Sequence, residues 1–382
     1  MSFPIVVPVE RESTLPEWVG PVVVATVLQV ALMVGYAARF EGDPSVFVCA
    51  PSGVVGQYPF EHIHASLSKE GHDGQSYYVI ARSPFQRQNE RYVNPPCYRH
   101  VRILYPALAW VLAAGGEPQR LLLVMPVINS FAVVGLAGLG ALFALRFGRS
   151  AWWGLLLPVV LNAATPALRD FTDPLATFCA FGLLAAWLLR GHVGVLILAA
   201  IAAALSREQN VAIVGIVLLA ALWQRRWAAA AGLLLAIAVW GGWVCYLKHL
   251  YGVWPYAAGN VTAPFSGMLY RLDHLNGDNA ARSAPIHAAG LAYIVLQIAI
   301  AAVMPFLRAE KTATLTALAG AALAICGGAA IYMDGHSYTR VFVFLPLGIW
   351  LWTVHSGRTW PALLLTPAML WPCYALFQVW RR

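Results

Sequence analysis

Long apolar runs recur from Trp18 toward the C-terminus, and a run of roughly 17 to 25 residues crosses a hydrocarbon core of about 30 Å as a helix. This pattern leaves little room for a soluble architecture. Composition agrees, with 60% hydrophobic and only 11% charged residues, against about 25% charged in ordinary globular domains. The expected fold is all-α: a polytopic transmembrane helix bundle of about 11 spans, with residues 1–382 forming a single integral membrane domain. Helices are expected because backbone polar groups inside lipid must be satisfied within the segment itself.

The spans read Trp18 to Tyr36, Leu121 to Leu145, Trp152 to Ala167, Pro174 to Leu189, Val193 to Leu205 and Val211 to Trp223. Five more read Trp227 to Leu247, Ala288 to Phe306, Leu315 to Tyr332, Val341 to Val354 and Pro361 to Phe377. The first run follows Glu10, Arg11, Glu12 and Glu17, without a basic leader region or a small-residue cleavage site, so it reads as a retained span. Val101 to Ala114 is apolar but short, and is expected to lie as an interfacial helix against the bundle. Gly135, Gly138 and Gly140 would let a neighbouring helix approach closely.

Short basic loops at Arg146–Arg149, Arg190–His192, Gln224–Arg226, Arg308–Lys311 and His355–Arg358 fall on one side under this count. The positive-inside rule makes that side cytoplasmic and places the N-terminus there, although Arg381 and Arg382 would then end outside. The opposite side collects the polar segments: a first extracytoplasmic loop with juxtamembrane helices over residues 38–120, a second large loop over 250–287, and the short stretches Arg169–Asp173, Ser206–Asn210 and Asp334–Arg340. The net charge of +8 is accounted for by basic loops meeting membrane lipids. No basic helix or aromatic-basic interleaving points to nucleic acid. Cys179, Cys245, Cys326 and Cys373 lie in apolar runs and read as small hydrophobes, while Cys49 and Cys97 share the first loop, where a disulfide is an open alternative to two free thiols.

Chemistry-capable residues gather in the outward segments. In Gly71-His72-Asp73-Gly74-Gln75-Ser76-Tyr77-Tyr78 the flanking glycines allow a bend that presents the Asp73 carboxylate, either as a general base or as an ordinary turn residue. Asp170 and Asp173 are three residues apart around a span boundary. Asp173 before Pro174 suits a helix cap, and the pair could also offer oxygen ligands to a divalent cation, the only cofactor the sequence suggests. Arg207 and Glu208 lie between two apolar helices, as an ion pair or facing a cavity. Glu61, His62 and His64 read as surface residues rather than a metal cluster, and the polar residues of Tyr251–His287, among them Asp273, His274, Asn276, Asp278 and Asn279, read mainly as a solvated loop.

These stretches, together with Tyr98-Arg99-His100-Val101-Arg102-Ile103-Leu104-Tyr105-Pro106, Asp170-Phe171-Thr172-Asp173-Pro174, Ser206-Arg207-Glu208 and Tyr338-Thr339-Arg340, resemble the GT-C glycosyltransferases, membrane enzymes that take sugars from polyprenyl-phosphate donors. The Tyr98–Pro106 run is similar to the Tyr-Arg-x-x-Arg-Ile-Leu-Tyr-Pro run of uncharacterised bacterial members. The resemblance implies Asp73 as catalytic base and substrate-binding roles for Gln75, Tyr78, Arg99, Arg102, Tyr105, Asp170, Asp173, Arg207, Glu208, His336 and Arg340. It also implies a bacterial plasma membrane, a periplasmic active face, a polyprenyl-phosphate-linked sugar as donor, and a glycan, lipid or protein as acceptor. An Asp-x-Asp or paired acidic motif is not found in the first loop, so a metal-independent transferase is the simpler expectation. The competing readings are a transporter or a lipid-linked-sugar flippase, in which the same intramembrane charges would line a path. A membrane acyltransferase would want a histidine within a span, whereas the histidines here fall mostly in loops.

Overall fold

The structure is a computed structural model that describes residues 16–65, 69, 71–275, 280–307, 309–333, 340–357, 360–365, 369 and 377. His336, Asp334, Tyr338, Thr339, Asn276, Asp278, Asn279, Arg381, Arg382 and most of the expected last span, Cys373 included, lie outside the described residues. Among the described residues the chain is helical and without strands, apart from an isolated antiparallel bridge between Val261 and Gly327.

Among the described residues, three helices are long and apolar enough to cross a membrane: α1 (Val19–Ala38), α5 (Pro118–Arg146) and α11 (Trp227–Tyr251). Between α1 and α5 lie a 3-10 turn (Pro44–Val48) and three short helices, α2 (Asp73–Arg82), α3 (Pro96–His100) and α4 (Leu104–Leu112). After α5 come α6 (Trp153–Val160), α7 (Ala164–Ala167), α8 (Asp173–Leu188), α9 (Val193–Ser206) and α10 (Asn210–Trp223). Beyond α11 the chain forms α12 (Ser266–Asp273), α13 (Ala280–Val303), α14 (Lys311–Cys326), α15 (Ala329–Tyr332) and α16 (Phe344–Ser356).

Local chemistry explains the boundaries. Pro118 occupies the first turn of α5 and the Glu117 carboxylate accepts from the Gln119 and Arg120 amides, so two of the orphan donors at that end are satisfied. With 29 residues, α5 is about 43 Å long at 1.5 Å per residue, longer than a hydrocarbon core is thick. The expected single span Trp152–Ala167 is instead two pieces. Pro158 sits inside α6 and Asn162 takes a left-handed φ of 49° before α7, a conformation Asn tolerates better than other side chains. The expected span Leu315–Tyr332 is likewise interrupted at Gly327 and Gly328, where a Cβ on Gly328 would collide with the Gly259 carbonyl. Val101–Ala114 contains α4, which packs on α2 and α5.

The core runs through the bundle and is rich in aromatics. Trp350 of α16 meets Phe143 of α5 at 5.8 Å and Phe181 of α8 at 5.5 Å between ring centroids. Close helix contacts use glycine, as the sequence suggested at Gly140. A Cβ there would lie 3.0 Å from the Gly154 Cα, and one on Gly154 would overlap backbone atoms of Ala137 and Ala141. Gly135 instead seats the Phe178 ring, and Gly138 faces Val22 of α1. Cys49 and Cys97 are both buried free thiols, their sulfurs 3.4 Å from the carbonyls of Val46 and Val253 respectively, so the open question of a disulfide resolves to none.

The α5–α6 contact is backbone against backbone, so it cannot relax by a rotamer change. Gly154→Val is expected to cost at least about 1–3 kcal/mol, read as a lowered thermal unfolding midpoint of the purified protein in detergent.

Candidate functional site

The polar side chains singled out by sequence meet where several helices end. α8 begins there, α9 ends there and α10 begins there, so the basic loops Arg190–His192 and Gln224–Arg226 are at the opposite end of these helices.

α2 supplies Asp73. Gly71 makes the preceding turn at φ 68°, His72 is extended, and Asp73 opens the helix, where a carboxylate is favoured by the exposed amides and dipole. Gly74 fixes its depth, since a Cβ there would overlap the Arg169 carbonyl and press on that of Val48. The Asp73 Oδ1 lies 2.7 Å from a terminal nitrogen of Arg99, in the last turn of α3. Its Oδ2 lies 3.7 Å from Arg340, which precedes α16.

Arg340 also reaches Asp173, at 3.7 Å, and its guanidinium lies 4.4 Å from the Phe171 ring centroid. Asp173 is paired in addition with Arg207, and both side chains of that pair are nearly sealed, at 6% and 5% exposure. Beside them Arg102 grips Glu208 with two bonds of 2.9 and 2.7 Å, the fork geometry a guanidinium offers a carboxylate. The same guanidinium donates to the hydroxyls of Tyr77 at 3.0 Å and Tyr98 at 2.8 Å. Tyr98 in turn donates to Glu208 at 2.7 Å and accepts from the Asn260 side chain at 3.0 Å.

Among the described residues, four guanidinium groups thus face three carboxylates in this constellation, one positive charge more than negative. Arg340 is the group least committed, because its Nε and Nη1 make no hydrogen bond and its contacts to both carboxylates are long. Burial alone would push the Asp73 carboxyl up, but Arg99 and Arg340 beside it more than offset this and hold it well below the usual carboxylate range. Asp73 is therefore ionised at neutral pH and is a weak base while both arginines face it. Glu208 behaves likewise: burial opposes ionisation, Arg102 overrides it, and its pKa falls to about 2.

Tyr105 and Asp170 form a separate buried network. The Tyr105 hydroxyl lies 3.2 Å from Asp170 Oδ1 and 3.1 Å from the Met125 carbonyl, and accepts from Asn129 at 3.0 Å. Burial raises the Asp170 carboxyl well above its usual range, which favours the neutral acid. Asp170 faces Tyr105 whereas Asp173 faces two arginines. Among the described residues no group of three His, Cys, Asp or Glu side chains is placed to hold a metal. Glu61 is bonded by Arg82 at 2.8 Å instead.

Of the remaining expected residues, Gln75 lies against the Gly71 turn, and Tyr78 points away from the ion cluster to stack on Phe60 at 6.1 Å between centroids. Tyr77, Tyr98, Phe171 and Asn260 belong to the constellation although sequence reading did not assign them roles there. Tyr98 had a usable signal, standing four residues before Arg102 beside a short helix. Asn260, from a loop more than a hundred residues away in sequence, had none.

Compared with family models, with curated proteins and with solved structures, the chain matches none.

Removing the cation from the sealed Asp173–Arg207 pair strands a buried carboxylate, so Arg207→Met is expected to destabilise the fold by about 3–5 kcal/mol, measurable as a loss of unfolding midpoint in detergent. Because the Glu208 pKa is depressed from 4.5 to about 2, its contribution to stability is full above pH 4.5 and is lost as pH falls toward 2. Acid unfolding curves of Glu208→Gln should therefore lack part of the stability decline that the parent protein shows across that window.

Proposed function

We propose that this chain is a membrane glycosyltransferase that moves a sugar from a polyprenyl-phosphate donor to an acceptor hydroxyl, with Asp73 as general base. The observation that carries this reading is the juxtaposition of the ionised Asp73 with the loosely held, excess cation Arg340 at one end of the helical bundle. Transfer from a lipid phosphate needs these two functions a short distance apart: a base for the attacking hydroxyl and a cation for the departing phosphate.

In the proposed step the acceptor oxygen attacks the anomeric carbon while its proton passes to Asp73. The bond from that carbon to the phosphate oxygen breaks, and the phosphate leaves with the electron pair. Arg340, assisted by Arg99, stabilises the charge that accumulates on it. The resting geometry adds a useful coupling. A phosphate that draws Arg340 and Arg99 toward itself removes the groups that depress Asp73, so the carboxylate becomes a stronger base when the donor is present. Arg102 and Arg207 are already occupied by Glu208 and Asp173 and serve to keep the neighbouring walls in place.

We extend the same reading to topology. The shorter apolar helices α8, α9, α10, α14 and the His287–Val303 part of α13 join the three long ones as spans of a GT-C-like bundle. The basic loops then face the cytoplasm, and the ion cluster faces the periplasm of a bacterial inner membrane. A transporter or flippase would use the same buried charges as a path, and the test separates the two.

Purified protein supplied with a panel of labelled polyprenyl-phosphate sugars should transfer label to an acceptor, and Asp73→Asn, still folded, should lose about 10²- to 10⁴-fold of that rate. Sound protein with no turnover on any donor would move the assignment to the transport reading.

A further inference from the structure

The chain between α11 and α13 carries an apolar surface that the ion cluster does not use. It leaves α11, one of the three long apolar helices, at Tyr251 and runs to α12. α12 is held on one side only. Gly267 lies against the Gly327 carbonyl and the Tyr332 ring, Met268 is buried, and the buried Arg271 donates to the Met333 carbonyl at 3.4 Å. Backbone bonds from Thr262 to Cys326 and from Phe265 to Ile325 tie the helix entry to the end of α14.

The opposite side is bare. Leu269 and Leu272, three residues apart and so on one face of the helix, are 58% and 50% exposed, and Phe265, which caps its start, is 51% exposed. Val261 and Met333 are exposed as well, and the exposed Trp254 and Tyr256 precede the helix, with Lys248 lying 5.8 Å from the Trp254 ring centroid. A few side chains of this size offer far less than the roughly 1,000 Å² that a stable protein interface needs. They do fit a lipid surface, where a short amphipathic helix sinks its apolar side by about 5–10 Å and Trp and Tyr gather at the headgroup level. The position between a long apolar helix and the apolar part of α13 keeps this segment near such a surface.

We propose that α12 is an in-plane membrane helix, with Phe265, Leu269 and Leu272 immersed at the boundary between headgroups and acyl chains. Arg271 is turned inward and Asp273 is the exposed charge at its end, so attraction to anionic lipid plays no part and zwitterionic lipid suffices. Immersion fixes the height of the Asn260 loop, which reaches Tyr98 of the ion cluster, relative to the membrane. The inference does not depend on the transferase reading.

The test uses the full chain in phosphatidylcholine nanodiscs, with Cys245→Ser, Cys326→Ser and Cys373→Ser to remove background thiols. An environment-sensitive fluorophore is placed at Leu269→Cys or Leu272→Cys, so that one site still reports if the other variant folds poorly, and at Glu90→Cys, an exposed position in the first loop, as reference. Lipids carrying a nitroxide high on the acyl chain should remove most of the fluorescence at positions 269 and 272 and little at 90, while aqueous iodide should do the reverse. Iodide quenching at 269 and 272 would put the helix in water and overturn the proposal. Protection from both quenchers would do so too, by showing that protein, such as a second copy of the chain, covers these side chains.

Discussion

The rest of the site depends on the sealed pair of Asp173 and Arg207, to which Arg340 adds a longer contact. Each ion costs several kcal/mol to take out of water, and only close opposite charges with satisfied geometry repay that. The start of α8, the end of α9 and the approach to α16 are therefore held to one another by charge as well as by packing. Asp73 joins through the same Arg340, which brings the first loop into register with helices distant in sequence. A bundle whose other contacts are mostly apolar has few other devices for specifying where its ends meet.

Apolar run length made the helical architecture legible, because the bilayer's thickness imposes a length on whatever crosses it. It was less able to show interruptions. Within Trp152–Ala167 every residue is compatible with lipid, yet Pro158 and the left-handed Asn162 divide the run, and hydropathy does not register backbone dihedrals. The Gly327–Gly328 break had the same character. What decided it was the approach of the Gly259 carbonyl from another segment, a tertiary contact no local pattern contains.

Charged residues stood out in the sequence because so few occur in an apolar chain, and Asp73, Arg99, Arg102, Asp173, Arg207, Glu208 and Arg340 do come together. Their partners were less visible. Tyr77 and Tyr78 are adjacent and chemically identical, and only the turn of α2 decides that one faces Arg102 while the other stacks on Phe60. Asp170 and Asp173 looked equivalent too. Burial against Tyr105 shifts the first toward the neutral acid, whereas the arginines around the second favour its charged form.

The missing side chain at Gly74 has a mechanical consequence. With the Arg169 and Val48 carbonyls pressed where a Cβ would stand, the first turn of α2 and the segment leading into α8 abut through main-chain atoms, which have no rotamers to exchange. Asp73 and Asp173 therefore follow backbone segments that meet directly. Arg340 has no comparable main-chain anchor to either carboxylate and bridges them only through its long, flexible side chain. Arg340 therefore spans the gap between two acids that are positioned by other parts of the chain, and its side chain is what joins them.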